Sequence, residues 1–517
     1  MRWLAAAAVV ALVSWVTYWA VGPRRALVQY RASLEAQGAR LTIEECVPPL
    51  VPDHHHAALR FLAAAQAFPR VTLEGRSLLI PPPTMRMVAP GKAIAGWAQP
   101  TITDGKSTYT WEELAGWVQE AGPQLLVIRE AAQADAFHWD LDWSQGMMML
   151  LPHLAPVKST AQWLLAEAAA ALREGRLDDA LEAQVTQLRV VHNLREEGLL
   201  IGQLVRIAIA AIAWNGLWEL LQAPGWTDAR LARLQEAWEG VEFVEAMVFG
   251  LETERALGLY EYGRVRQSPA LLSQYLDQDL LTALGLGGGL SGAPPEDESL
   301  LNQALHWVGD TFTKTRHGAR AMLWATFESY ADERFYLEML ERWLQEARER
   351  AEAVPAAAGQ PVGFVSGAGF VPSLGVDGES RAERHLLASM VLPSLDRAFE
   401  KAFLMQAQRE LARAAIALQR YRLEHGRFPE SLGDLVPRFL NGAPTDWMDG
   451  AALRYRLGED GGFTLYSVGR DGKDDGGDPR NPNPAATSFS PHSARDFVWP
   501  AVATAEEIAA FEASSKR

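Results

Sequence analysis

Tyr421-Arg422-Leu423-Glu424-His425-Gly426-Arg427-Phe428-Pro429, followed by Ser431-Leu432-Gly433-Asp434-Leu435-Val436-Pro437, is where the chain stops reading as helix alone. Upstream of it, Leu404, Ala407, Leu411, Ala414, Leu418 and Tyr421 recur every three or four residues and form one narrow stripe. Arg409, Arg413, Arg420 and Arg422 fall largely off that stripe. The spacing predicts an amphipathic helix packed on a partner surface, running from about Arg384 to His425. Gly426 is placed to end it as a left-handed cap. Downstream, Leu453 to Leu457 alternates apolar residues with arginine, and Phe463 to Val468 is a second strand candidate. Glycines 458, 461 and 462 lie between them, so the natural expectation is a β-hairpin.

The order of pieces is then specific. After the helix come Gly426-Arg427-Phe428-Pro429, Leu435-Val436-Pro437 and Pro444-Thr445-Asp446-Trp447. The hairpin follows, with Ser467-Val468-Gly469-Arg470-Asp471-Gly472-Lys473 at its end. This order resembles the soluble domain of the type II secretion system major pseudopilin. That family carries Gly-Arg-Tyr-Pro after its helix, a Pro-x-Asp-x-Trp-Gly turn and Ser-Leu-Gly-x-Asp-Gly before an acidic loop. The resemblance implies an α+β unit, a long helix with a small antiparallel sheet, over residues 381–517. It also implies calcium in the acidic loop of residues 471–499, where Asp474 adds a further carboxylate. By position the ligands would be Asp471, Asp475, Asp478 and Asp496. An EF-hand is excluded, because its third position would be Lys473 and its twelfth Pro482. The likeness stops short of the family's amino terminus. In the family the membrane helix runs straight into the long helix and carries a Glu, whereas Met1 to Gly22 here contains none. The whole arrangement also resembles uncharacterised envelope proteins of planctomycete or verrucomicrobial type, which implies no activity.

Working back to the amino terminus, no charge interrupts the chain between Trp3 and Val21. At helical rise this stretch spans roughly 28 Å, close to the thickness of a bilayer's hydrocarbon core. Trp3 sits near one end, and Trp15, Tyr18 and Trp19 near the other, as interfacial aromatics do. Residues 1–22 therefore read as a transmembrane anchor. The alternative is a signal peptide, with Ala20-Val21-Gly22 as the small-x-small site and Pro23 disfavouring the cut. Either reading exports the rest, so the expected location is the bacterial inner membrane, single-pass, with the bulk of the chain periplasmic.

Between the two ends, residues 23–109 read as mixed structure punctuated by Pro48-Pro49, Pro52 and Pro81-Pro82-Pro83. A helix is expected from Arg24 to Gly38, another from Ala57 to Phe68, and a strand from Val71 to Ile80. Residues 110–354 read as a large helical bundle or irregular helical-repeat domain. Leu177, Leu181, Val185, Leu188 and Val191 share a face, and Leu164, Ala168 and Leu172 make a matching stripe across Gly175. Leu199 to Leu221 is apolar enough to suggest a second span. Gln203, Arg206, Asn215 and Glu219 punctuate it, which favours a buried bundle helix. Residues 284–299 read as a loop and 355–380 as a linker or long loop. The fold class is mainly α.

The formal charge of -16 argues against a protein that binds nucleic-acid backbones. Cys46 is the sole cysteine, so no intrachain disulfide, thiolate zinc cage or iron–sulfur site can form. Asp53-His54-His55-His56 offers imidazoles to zinc or nickel, or else is a surface entry to a helix capped by Asp53. His138-Trp139-Asp140-Leu141-Asp142-Trp143, with His153 downstream, is the best catalytic candidate. Two carboxylates between tryptophans suit a glycan site, with acids flanking the scissile bond and rings stacking on sugar. The plainer alternative is a loop entering the bundle, its tryptophans packed and Asp142 capping. His192-Asn193 and Asn215 read as hydrogen-bonded core residues. Gly287-Gly288-Gly289 lacks the Lys-Ser/Thr of a phosphate loop, and no Gly-x-Ser-x-Gly elbow occurs. The expectation is an extracytoplasmic interaction or assembly protein with a partner protein in the envelope, linked to a type II secretion or pilus-like system. An exported hydrolase is the alternative.

Overall fold

The computed structural model describes residues 21–73, 76–78, 85–103, 108–272, 321–356, 385–459, 461–483 and 494–515. The apolar segment before residue 21, the loop expected at 284–299, the proline run at 81–83 and most of the expected linker lie outside the described residues.

The described chain is mainly helical with small sheets. Helix α1 occupies residues 21–36 and sends Leu27 and Leu34 into the core. A short turn, α2 (Ile43–Cys46), is closed by a capping box between Thr42 and Glu45. Helix α3 (Pro52–Gln66) begins earlier than the apolar pattern suggested. Val51 is its N-cap and Pro52, whose missing N–H costs nothing there, opens it. Asp53 therefore lies inside the first turn and is not the cap. The single strand expected at 71–80 is instead a hairpin, β1 (Val71–Leu73) with β2 (Arg76–Leu78). Short strands follow: β3 (Arg86–Ala89), β4 (Lys92–Ile94), β5 (Ile102–Thr103) and β6 (Thr108–Tyr109).

Helix α4 (Trp111–Glu120) starts at a capping box in which Thr110 and Glu113 serve each other's amides. Then come α5 (Gly122–Ala131), α6 (Leu154–Arg173) and α7 (Leu177–Asn193). Gly175, at φ +74°, turns α6 back against α7, and the predicted stripes of both helices are buried. Helix α8 (Leu200–Leu221) is, among the described residues, the one helix long and apolar enough to cross a membrane. Several of its polar side chains nevertheless bond to neighbouring segments. Arg206 donates to the carbonyls of Val191 and Glu242, and Gln203 to that of Glu197, while Glu219 accepts from the Gly96 amide. It packs on α6 and α7, and on α10 (Val244–Gln267) beyond α9 (Asp228–Glu239).

After a π turn at Trp324–Glu328 runs α11 (Ser329–Ala356), and then the longest of the described helices, α12 (Leu386–His425). Gly426 ends α12 at φ +75°, with its amide on the Arg422 carbonyl. The single stripe read from sequence is only part of its packing. Ala412, Ala415, Ile416 and Ala417 are buried as well, because α12 runs through the middle of the molecule. Alanines there let α8 and α9 approach from both sides. The arginines off the stripe reach α9: Arg409 donates to the carbonyls of Trp238 and Glu239, and Arg420 clasps Asp228.

The hairpin β7 (Arg454–Leu457) and β8 (Phe463–Ser467) forms a three-stranded antiparallel sheet with β9 (Phe497–Val498). Strand β10 (Ala501–Val502) leaves that sheet and pairs in parallel with β4, Ala501 beside Lys92 and Val502 beside Ala93. Helix α13 (Ala505–Ser515) then packs on β3. One core joins Phe61 of α3, Trp214 and Trp218 of α8, Leu411 and Leu418 of α12, and Leu465, Phe497 and Trp499 of the terminal sheet. The Trp218 indole N–H donates to the Pro500 carbonyl at 2.8 Å. The described part of residues 381–517 thus shares the core of the helical body.

Candidate functional site

Two of the stretches singled out in the sequence meet in space. Beyond α5 the chain runs extended through residues 135–142, its Phe137 amide donating to the Asn193 carbonyl and its ring packed on Phe61. This carries the imidazole of His138, 6% exposed, between the start of α3 and the turn after α7. The Val51 amide donates to His138 Nδ1 at 3.0 Å. An amide can only donate, so the ring's proton sits on Nε2, which lies 3.1 Å from Glu196 Oε2 and donates to it. Arg195 occupies the other oxygen of Glu196. His54 stands edge-on to His138, ring centres 4.8 Å apart, and its Nδ1 is buried without a hydrogen-bond partner. His55 Nδ1 reaches the His138 carbonyl at 3.1 Å.

Beside this group opens a cavity of about 140 Å³, walled by Val47, Leu50, Trp139, Asp140, Trp143 and Glu196. Two of its aliphatic walls face solvent: Leu50 is 55% exposed and Val47 36%.

The four catalytic candidates do not assemble into one acid–base constellation. Asp140 faces the cavity and is exposed. Asp142 is committed elsewhere. It caps the 3-10 turn Trp143–Met148, taking the Ser144 amide and hydroxyl and the Gln145 side chain, and the Ser144 bond foremost holds its carboxyl below the usual range. His153 is fully buried, bonded to Glu197 Oε1 at 2.9 Å and stacked 4.5 Å from Trp139. Its pair is separate from that of His138. Of the two readings of this stretch, the geometry matches a loop that enters the bundle.

The acidic loop is ordered from within. Asp496, 0% exposed, accepts the amides of Asp475, Gly477 and Asp478 at 2.8–3.3 Å. Burial raises its pKa while those amides oppose the rise. Asp478 pairs with Arg480 and Arg495, Asp474 with Tyr466 and Arg454, and Asp471 caps the Lys473 amide. Asp475 is exposed and brings only its amide to Asp496. Asp446, in the Pro444–Trp447 turn, is wholly buried and accepts from Met448, Ser467, Val468 and Arg454. Burial, then the neighbouring Asp449, pushes its pKa up to about 6.

Among the described residues, His54, His138 and Glu196 are the one group of three or more histidine, cysteine or carboxylate side chains whose ligand atoms all lie within 4.8 Å of one another. Sequence reading found the two histidine stretches separately and missed Glu196. The only signal was the Glu196-Glu197 pair closing a helix beside His192-Asn193. Comparison of the chain with protein-family models, with curated proteins and with solved structures returned no match.

Proposed function

We propose that the protein is a membrane-tethered, extracytoplasmic interaction or assembly protein, and that a partner protein of the envelope docks at the cavity bordered by Val47 and Leu50. The observation that carries this is the pair of exposed aliphatic residues Val47 and Leu50 on the wall of a small cavity that Trp139, Leu141 and Trp143 also line. Exposed aliphatic residues grouped around aromatic walls are the usual make-up of a docking surface. Helix α1 supports the tether. It is helical from residue 21, directly after the charge-free stretch, and Leu27 and Leu34 fix it in the core, so the body would be held rigidly against the bilayer. The pseudopilin-like reading of residues 421–499 is supported by the order of helix, left-handed glycine, hairpin and Asp496-tied loop. On this reading the terminal unit stiffens the body, and a link to a secretion or pilus-like apparatus follows from the resemblance. The amide and arginine partners of the loop acids support a self-tied loop, with calcium at most an addition to it.

The test uses the full chain in its own membranes, with a photo-crosslinking residue at Val47 or Leu50. The expected result is an adduct of discrete mass from both positions and none from Leu423, an exposed residue of α12. Adducts from all three alike, or from none, refute the docking face. A phosphatase reporter fused after residue 517 should be active; an inactive one would place the body in the cytoplasm.

A further inference from the structure

We infer that His54, His138 and Glu196 form a binding site for a single divalent transition-metal ion of the zinc class. The three side chains come from α3, from the extended segment after α5 and from the turn after α7, segments that nothing in the local sequence requires to meet. Two imidazoles and a carboxylate are the donor set that zinc takes when one position is left to water. The adjoining cavity of about 140 Å³ gives that position room. A second observation points the same way. His54 Nδ1 is buried and meets no hydrogen-bond partner, which is a cost to the fold unless something else takes its lone pair.

The hydrogen bonds state what loading must change. His138 now holds its proton on Nε2, toward Glu196, while Nδ1 accepts from Val51. To give its Nε2 lone pair to an ion, the ring moves that proton to Nδ1, and two hydrogens would then face each other across the Val51 bond. The Val51 amide must turn outward. It is free to do so, because Val51 is the N-cap of α3, 37% exposed, and water can take over its N–H. Arg195 keeps Glu196 in place through its second oxygen. Loading therefore exchanges two hydrogen bonds of His138, to Glu196 and from Val51, for a metal–nitrogen bond, with no net proton released from His138.

This site does not depend on the docking face: an ion that binds while crosslinking fails, or the reverse, separates the two. The chelator-stripped full chain in detergent is titrated with zinc alone, and with cobalt for its visible spectrum. The expected result is one ion per chain, affinity at least tenfold weaker in His54→Asn and Glu196→Gln, and no change in His56→Asn, whose exposed side chain is the natural adventitious ligand. Hydrogen exchange at the Val51 amide should quicken on loading, a readout that does not require any variant to fold. Absence of stoichiometric binding overturns the site. So does binding that survives both variants, that is lost in His56→Asn, or that leaves Val51 exchange unaltered.

Discussion

The acidic loop and the histidine groove are built on opposite terms. The loop holds Asp471, Asp474, Asp475 and Asp478 within a few residues, yet its most buried carboxylate, Asp496, already has three amides, and Asp474 and Asp478 have arginines. The groove draws its ligand types from three distant segments and leaves a buried nitrogen without a partner. A run of acids in sequence tends to be satisfied by its own backbone and near neighbours, whereas convergence of unlike segments is set by the tertiary fold. The second kind of cluster is therefore the stronger pointer to a ligand, and the contrast can be tested from both sides.

The largest effect should come from Asp496→Ala. It strips three half-buried amides of their acceptor and should cost about 3–5 kcal/mol in denaturant unfolding, with early proteolysis in residues 469–483. A change under about 1 kcal/mol would mean that Asp496 does not tie the loop. Calcium sharpens the same point: a rise in melting temperature that Asp471→Ala abolishes would show the loop to be a metal site too, and the contrast would fail.

The next effect is on pH. Burial pushes Asp332 up to about 6, although it accepts from Tyr262, Trp324 and the amides of Leu387 and Ala388 at the start of α12. A carboxyl raised in the folded state binds its proton more tightly there than in the unfolded chain. Its contribution is complete below about pH 4 and is lost as pH rises through 6, by roughly 2–3 kcal/mol. Asp332→Asn should be less stable throughout but show a flatter decline between pH 4 and 7, read by unfolding at each pH. Parallel curves would reject the assignment.

Smaller still is Gly469→Ala. Gly469 has φ +69°, and a Cβ would meet the Arg495 carbonyl oxygen at 2.7 Å, so about 1–3 kcal/mol should be lost. The smallest belongs to the groove side. Asp142→Ala removes a cap worth about 1 kcal/mol and should leave zinc affinity unchanged. A weakened affinity would draw Asp142 into the site and blur the comparison.

Much of the fold was legible because it is local. The stripe of Leu177 to Val191, the Gly426 cap and the hairpin about Gly461 depend on neighbours within a few residues. What was not legible depends on contacts across the chain. The narrow stripe of α12 understated its burial, since α9 and α8 cover faces whose alanines carry little hydrophobic signal. Asp53 looked like a cap, but Pro52 opens the helix one residue before it. The candidate site was half legible: His54 and His138 stood out as residues, and only the turn after α7 brings Glu196 to them.

The parallel pairing of β10 with β4 also bears on how the chain is made. Strand β4 leaves the ribosome long before its neighbour on that edge, which arrives only with Ala501 and Val502. Until then, the Trp218 indole and one edge of the early sheet have no permanent cover. A nascent chain therefore stays open along this seam until Val502 has been added. Premature termination before residue 500 would hand quality-control proteases a long polypeptide that has most of its helices and no lock.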